Sequence, residues 1–155
     1  MAGERPRPAA RALILRDGKI LTLHMRDALE EFYVLPGGGQ AFNETLHECL
    51  HREAREELGT GLEIGKLICV REYLAPRHRK AAIYPAFHAV ESIFLCTLRG
   101  EPDLSKAHEP DKGQLGLEWL PLAELTQYRL YPGGIRAPLQ RGKVDEIPPY
   151  LGDDD

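Results

Sequence analysis

The sequence predicts an α/β domain, and three observations carry that reading. Several short stretches have the alternating or continuous apolar pattern of strands. One longer stretch, Thr45 to Leu58, has the four-residue apolar repeat of a helix, and strands lie both before and after it. No internal repeat or linker interrupts the 155 residues, a length that suits one domain with a sizeable core. Residues 9–150 therefore read as a single domain. Residues 1–8, rich in Arg and Pro, read as a loose arm, and the acidic end 151–155 as a disordered tail.

Ala10 to Leu15 and Lys19 to Met25 form two strands around an Asp17-Gly18 turn. Glu31 to Leu35 is a short strand feeding the glycine loop Pro36-Gly37-Gly38-Gly39. The helix follows: Thr45 and Glu48 fit a capping box, and Gly59 is placed to end the helix in the left-handed conformation. Leu46, Leu50, Ala54 and Leu58 make its apolar stripe. Leu62 to Tyr73 alternates as a long strand and runs into a basic loop of Arg77, His78, Arg79 and Lys80. Phe87 to Leu98 is another strand, Glu101 to Gly116 a polar loop, and Leu117 to Leu120 a short strand. Pro121 to Gln127 opens a second helix, and Ile135 to Gln140 forms part of a third.

Composition excludes several function classes. A hydrophobic share of 43% with 28% charged residues is that of a soluble globular protein, and a net charge of −4 disfavours long nucleic acid as a partner. Met1 to Ala12 has no apolar core of signal-peptide type, and no run reaches transmembrane length. Cys49, Cys69 and Cys96 are odd in number, widely spaced and without metal-ligand spacing. They read as reduced, buried thiols of a cytoplasmic protein.

The chemistry concentrates in the helix. Glu53, Glu56 and Glu57 stand at i, i+3 and i+4, so their carboxylates share one face. Partly buried at roughly 5–6 Å, each pair repels by about 3 kcal/mol at an effective dielectric of ~20, which a cation between them would relieve. Oxygen donors favour a hard cation, Mg2+ or Mn2+. The glycine run just upstream lets backbone groups approach a metal or phosphate closely. The alternative is a solvated acidic face with Glu48–Arg52 and Arg52–Glu56 pairs.

Gly38, Glu44, Arg52-Glu53, Glu56-Glu57 and Gly59 together resemble the signature of the Nudix hydrolases, Gly-x5-Glu-x7-Arg-Glu-U-x-Glu-Glu-x-Gly-U with U a bulky aliphatic. All seven fixed positions match, while Ala54 and Thr60 depart at the two U positions. The resemblance implies an α/β/α sandwich with a mixed sheet between helices. It implies Mg2+-dependent hydrolysis of the diphosphate linkage in a nucleoside diphosphate joined to another moiety. An ADP-sugar such as ADP-ribose is the first expected substrate and a modified nucleoside triphosphate the second. In that scheme Glu53 and Glu57 are direct metal ligands, Glu56 is a ligand or base, and the Gly38 carbonyl completes the shell. Glu44 and Arg52 brace the loop to the helix. A metal-activated water attacks the diphosphate. A nucleotide-binding module without catalysis is the alternative, the partner in either case is a small nucleotide, and a homodimer is left open.

Other residues extend the expected site. A family base often comes from a loop beyond the box, which points to Glu109 and Asp111. Arg77, Arg79 and Lys80 are candidates for holding substrate phosphates, with a solvated loop as the alternative. Pro76, sixteen residues beyond Thr60, is similar in position to a proline of ADP-ribose pyrophosphatases. Glu91 faces either the metal side or solvent, and Glu118 reads as structural. Tyr33, Phe42, Tyr73 and Tyr84 are candidates to stack on a base, with core packing as the alternative. His47-Glu48-Cys49-Leu50-His51 also matches the zinc peptidase motif His-Glu-x-x-His, although no third ligand is evident.

Overall fold

The computed structural model describes residues 4–106 and 113–155. A long first strand, β1 (Arg7–Arg16), turns at Asp17-Gly18 into β2 (Lys19–Arg26). It starts at Arg7, inside the stretch expected to be loose, because Arg7 and Pro8 pair alongside Ala89 and Val90. Then come β3 (Glu31–Val34), β4 (Gly37–Gly39), α1 (Leu46–Leu58), β5 (Leu62–Leu74), β6 (His88–Leu98) and β7 (Gln114–Pro121). The chain closes with β8 (Leu130–Tyr131), α2 (Arg136–Gln140) and β9 (Tyr150–Asp153).

The strands form one mixed sheet in the order β8-β3-β2-β1-β6-β5-β9, with β4 pairing β1 and β7 pairing β2. β1–β6, β3–β8 and β5–β9 are parallel and the other pairs antiparallel. Two cores cover its two faces. Along β1, Ala10, Ala12 and Ile14 point to one side and meet Leu50, Ala54 and Leu58 of α1. Leu13 points to the other and meets Leu125, Ile135 and Leu139. The small Ala10 and Ala12 let α1 lie close on the sheet. This is the α/β class that the pattern predicts, arranged as the sandwich that the resemblance implies.

The caps of α1 form as read from the sequence. The Thr45 side chain accepts from the Glu48 amide while the Glu48 side chain accepts from the Thr45 amide, and Gly59 is left-handed at φ 67°. Three local readings are corrected. Leu122–Gln127 is a 3-10 segment rather than an α-helix, broken at Glu124, whose φ is −121°. The glycine run is not a loop but the strand β4, held by the register Ala9↔Gly39, Ala10↔Gly38 and Arg11↔Gly37. Of the tail expected to be disordered, Leu151 to Asp153 belong to β9, and its carboxylates meet donors instead of one another. Asp153 accepts from the Leu74 amide and Asp154 from the Gly134 amide. Among the described residues no helix is long and apolar enough to cross a membrane.

Candidate active site

Pairing with β1 brings the glycine strand against the acidic edge of α1. The Gly37 amide donates to Glu57 Oε1 at 2.7 Å, and Glu57 is fully buried. A Cβ built on Gly38 would fall 2.6 Å from the Glu53 carboxylate, so that space belongs to Glu53. Gly37 has φ 138°, and a Cβ there would meet the Ala10 carbonyl at 2.1 Å, so backbone and neighbour alike demand glycine. The Gly38 carbonyl accepts from Cys49 Sγ at 3.4 Å.

Arg52 ties these parts together. It gives a fork to Glu44, Nη2 to Oε1 at 2.7 Å and Nε to Oε2 at 3.0 Å, and donates to the Gly39 carbonyl at 3.0 Å. The expected Glu44–Arg52 brace is therefore present as a bidentate pair. Arg52 and the Ala41 amide hold the Glu44 carboxyl well below its usual range, at about 2. Arg52 Nη1 also reaches Glu53 at 3.0 Å and Glu56 at 3.4 Å. Here the guanidinium supplies part of the counter-charge that the carboxylate face needs. Among the described residues no three His, Cys, Asp or Glu side chains converge as a ready metal cluster. The donor chemistry nevertheless fits a hard divalent ion: Glu53, Glu56, Glu57 and the Gly38 carbonyl offer oxygen alone.

On the opposite face of the sheet, beside the same glycine strand, lies a cavity of about 270 Å³. Phe32, Tyr73, Tyr84, Phe87 and Tyr131 wall it. Its floor is an ion triad that the sequence reading missed. Arg11 Nε meets Glu91 Oε2 at 2.8 Å and Arg71 Nη1 meets Glu91 Oε1 at 2.6 Å. Burial pushes the Glu91 carboxyl up, but the two guanidinium groups outweigh it and hold it below its ordinary range. Arg11 Nη1 also donates to the Leu35 and Gly37 carbonyls, which links the cavity to the glycine strand. One signal existed: an arginine inside Ala9-Ala10-Arg11-Ala12-Leu13 must find a carboxylate if it is buried.

The other expected residues fall as follows. Lys80 is buried and bonds Asp27 at 2.7 Å and Glu30 at 2.9 Å, and Arg79 bonds Glu30 at 2.6 Å. Holding phosphate with either residue would require opening those pairs. Arg77 is exposed. Glu109 and Asp111 lie outside the described residues. Tyr73 and Tyr84 line the cavity, whereas Tyr33 stacks on His24 and Phe42 is fully exposed. Glu91 faces neither solvent nor the helix. Glu118 is exposed on β7, its carbonyl accepting from the Thr22 hydroxyl. The His47 ring packs edge-on to Phe94, and no third zinc ligand joins His47 and His51 among the described residues. All three cysteines are buried and free, and burial pushes their thiols up to about 11 or 12.

Comparison with known proteins agrees with this geometry. The NUDIX domain model matches residues 5–139. A MutT NUDIX hydrolase from Burkholderia pseudomallei is 31% identical, with 86% of this chain and 96% of that one covered at a TM-score of 0.68. The ORF135 protein of E. coli is 26% identical over 91% and 90% of the two chains, with a TM-score of 0.63. An ADP-ribose pyrophosphatase from Streptococcus suis, 19% identical over 97% and 100%, shares the fold at a TM-score of 0.61. With the signature, the sheet and the family match in agreement over most of its length, the chain belongs to the NUDIX domain family and is a Nudix hydrolase.

Proposed function

We propose that this enzyme hydrolyses the diphosphate linkage of a nucleoside diphosphate joined to a further group, using Mg2+ or Mn2+. The class includes ADP-sugars such as ADP-ribose and modified nucleoside triphosphates. The observation that carries the reading is the fastening of the acidic ridge to the glycine strand, Glu57 through the Gly37 amide and Glu53 against Gly38. Backbone and carboxylate oxygens are thereby gathered at one place on rigid elements.

Glu53, Glu56, Glu57 and the Gly38 carbonyl would hold the metal. When bound, it lowers the pKa of water and neutralises charge on the bridging oxygens. The chain's own residues do the rest. Arg52 holds the loop through Glu44 and the Gly39 carbonyl, so the ridge and the strand keep their spacing. Glu56 is the least buried of the three carboxylates, and in this proposal it takes the proton of the attacking water. Glu109 and Asp111 are the alternative bases.

The aromatic cavity receives the nucleoside. The aromatic lining suits a flat base, with Tyr84 and Phe87 the rings not already covered by Lys80, Arg71 or His78, and Arg11, Arg71 and Lys80 are each already bonded to a carboxylate. Lys80 accordingly enters the proposal as part of the cavity wall. The buried free thiols fit a reducing compartment, and we place the enzyme in the cytoplasm. The test is turnover of a nucleotide panel with Mg2+ and product identification in 18O-labelled water. Nucleotides that raise the melting temperature while no phosphate product forms would replace a hydrolase with a binding module.

A further inference from the structure

Among the described residues, the polar side chains of the aromatic cavity have partners inside the protein, with two exceptions. Glu91 takes Arg11 and Arg71, and Lys80 lies between Asp27 and Glu30. The Tyr84 and Tyr131 hydroxyls donate to Asp27 and Glu30. Tyr73 and Asp155 line the same cavity. Tyr73 is 7% exposed, and its buried hydroxyl has no hydrogen-bond partner. The Asp155 side chain makes neither an ion pair nor a hydrogen bond with the described residues.

A buried hydroxyl without a partner is a cost that a bound molecule can relieve. This hydroxyl is also held in place. Arg71 lies over the Tyr73 ring at 4.9 Å, and His78 stacks on it with the ring centres 5.4 Å apart. With its faces taken, Tyr73 meets the cavity by its edge, where the hydroxyl stands. Burial pushes the Tyr73 phenol above its ordinary range and the charge of Asp155 adds to the rise. The hydroxyl therefore keeps its proton and lies within the field of Asp155.

We propose that the Tyr73 hydroxyl and the Asp155 carboxylate read the hydrogen-bonding edge of the base. They select bases with an exocyclic amino group beside an unprotonated ring nitrogen, adenine and cytosine, over the oxo counterparts. The inference rests on the placement of the nucleoside in this cavity. A carboxylate only accepts, so Asp155 takes an amino N–H, while the Tyr73 hydroxyl donates to the adjacent ring nitrogen. Hypoxanthine and uracil reverse that pattern: a carbonyl oxygen replaces the amino group, and the ring nitrogen carries hydrogen. Their carbonyl would face the Asp155 carboxylate, acceptor against acceptor, which a site built for hydrogen bonds rejects. Stacking on Tyr84 and Phe87 is open to amino and oxo bases alike, so it adds affinity without making this choice.

The test is calorimetric titration of adenosine, inosine, cytidine and uridine monophosphates, without metal, into wild type, Tyr73→Phe and Asp155→Asn. Wild type should bind each amino nucleotide about tenfold or more tightly than its oxo counterpart. Tyr73→Phe should lose about tenfold for the two amino nucleotides and little for the oxo pair. Without ligand its melting temperature should equal or exceed that of wild type, because phenylalanine keeps the packing and removes the orphaned hydroxyl. A lower melting temperature would show that the protein itself satisfies the hydroxyl, and would overturn the proposal. Asp155→Asn adds a donor, so its preference for amino bases should shrink or reverse. Equal binding of amino and oxo nucleotides by wild type, or an equal Tyr73→Phe loss on all four, overturns the proposal and leaves the nucleoside cavity standing. If wild type binds none of the four, the cavity is not a nucleoside site and the proposal falls with it. Because binding is read without metal or turnover, failure of the hydrolase reading shows separately, in the nucleotide panel with Mg2+.

Discussion

Glu57 is structural in the fold and, in the proposed mechanism, a metal ligand as well. It is fully buried and accepts the Gly37 amide, so removing the side chain would orphan a backbone donor. Glu57→Gln keeps an amide oxygen for that donor. It should keep the fold within about 1 kcal/mol and cost orders of magnitude in kcat. Thermal melting and steady-state kinetics check both halves, and undiminished turnover would refute the site. Arg52→Ala removes the bidentate brace and the Gly39 contact, for an expected loss of about 1–3 kcal/mol and weaker Mn2+ binding in a titration. This loss depends on pH. The Glu44 carboxyl is lowered from 4.5 to about 2 in the fold, so its contribution is complete above pH 4.5 and fades as pH falls toward 2. The stability gap between wild type and Arg52→Ala should narrow over that window, and a pH-invariant gap would discard the brace as its source.

Between elements, the junction that matters most is Glu30. Its side chain has no solvent exposure and meets Arg79, Lys80, Arg129 and Tyr131, which joins the β2–β3 loop to the basic loop and to β8. Glu30→Ala strands the buried Lys80 ammonium with Asp27 alone. The expected cost is about 3–5 kcal/mol by chemical denaturation. Gly37→Ala is the backbone counterpart. Its Cβ would strike the Ala10 carbonyl at a φ that alanine disfavours, so β4 should detach from β1, with about 1–3 kcal/mol or more lost and activity lost with it. Both outcomes concern contacts that no local pattern signals. Arg79 and Lys80 read as free phosphate binders because Asp27 and Glu30 are about fifty residues away in sequence. The glycines read as loop because glycine has no strand preference of its own, and only pairing with Ala9 to Arg11 makes them β4.

At the scale of the molecule, β9 closes the far edge of the sheet and finishes the cavity wall. The Asp154 carbonyl accepts Arg71 Nε at 2.7 Å, and Asp155 lines the cavity. Shortening the chain after Pro149 should therefore lower the melting temperature and loosen nucleoside binding together, measured by scanning calorimetry and by titration with a nucleoside monophosphate. Unchanged nucleoside affinity would show the cavity to be independent of β9. The sequence by itself determined α1, its caps, the alternation of β1, β5 and β6, and the spacing of Glu53, Glu56 and Glu57. Those features depend on residues within one or two turns, or on the two-residue period of a strand. Only the tertiary structure decided that Glu91 lies between Arg11 and Arg71, that Leu151 to Asp153 of the acidic tail join a strand, and that Glu30 gathers Arg79, Lys80 and Arg129. Each of these is settled by which distant group arrives opposite a charge, because a buried charge takes whatever partner the sheet order brings to it.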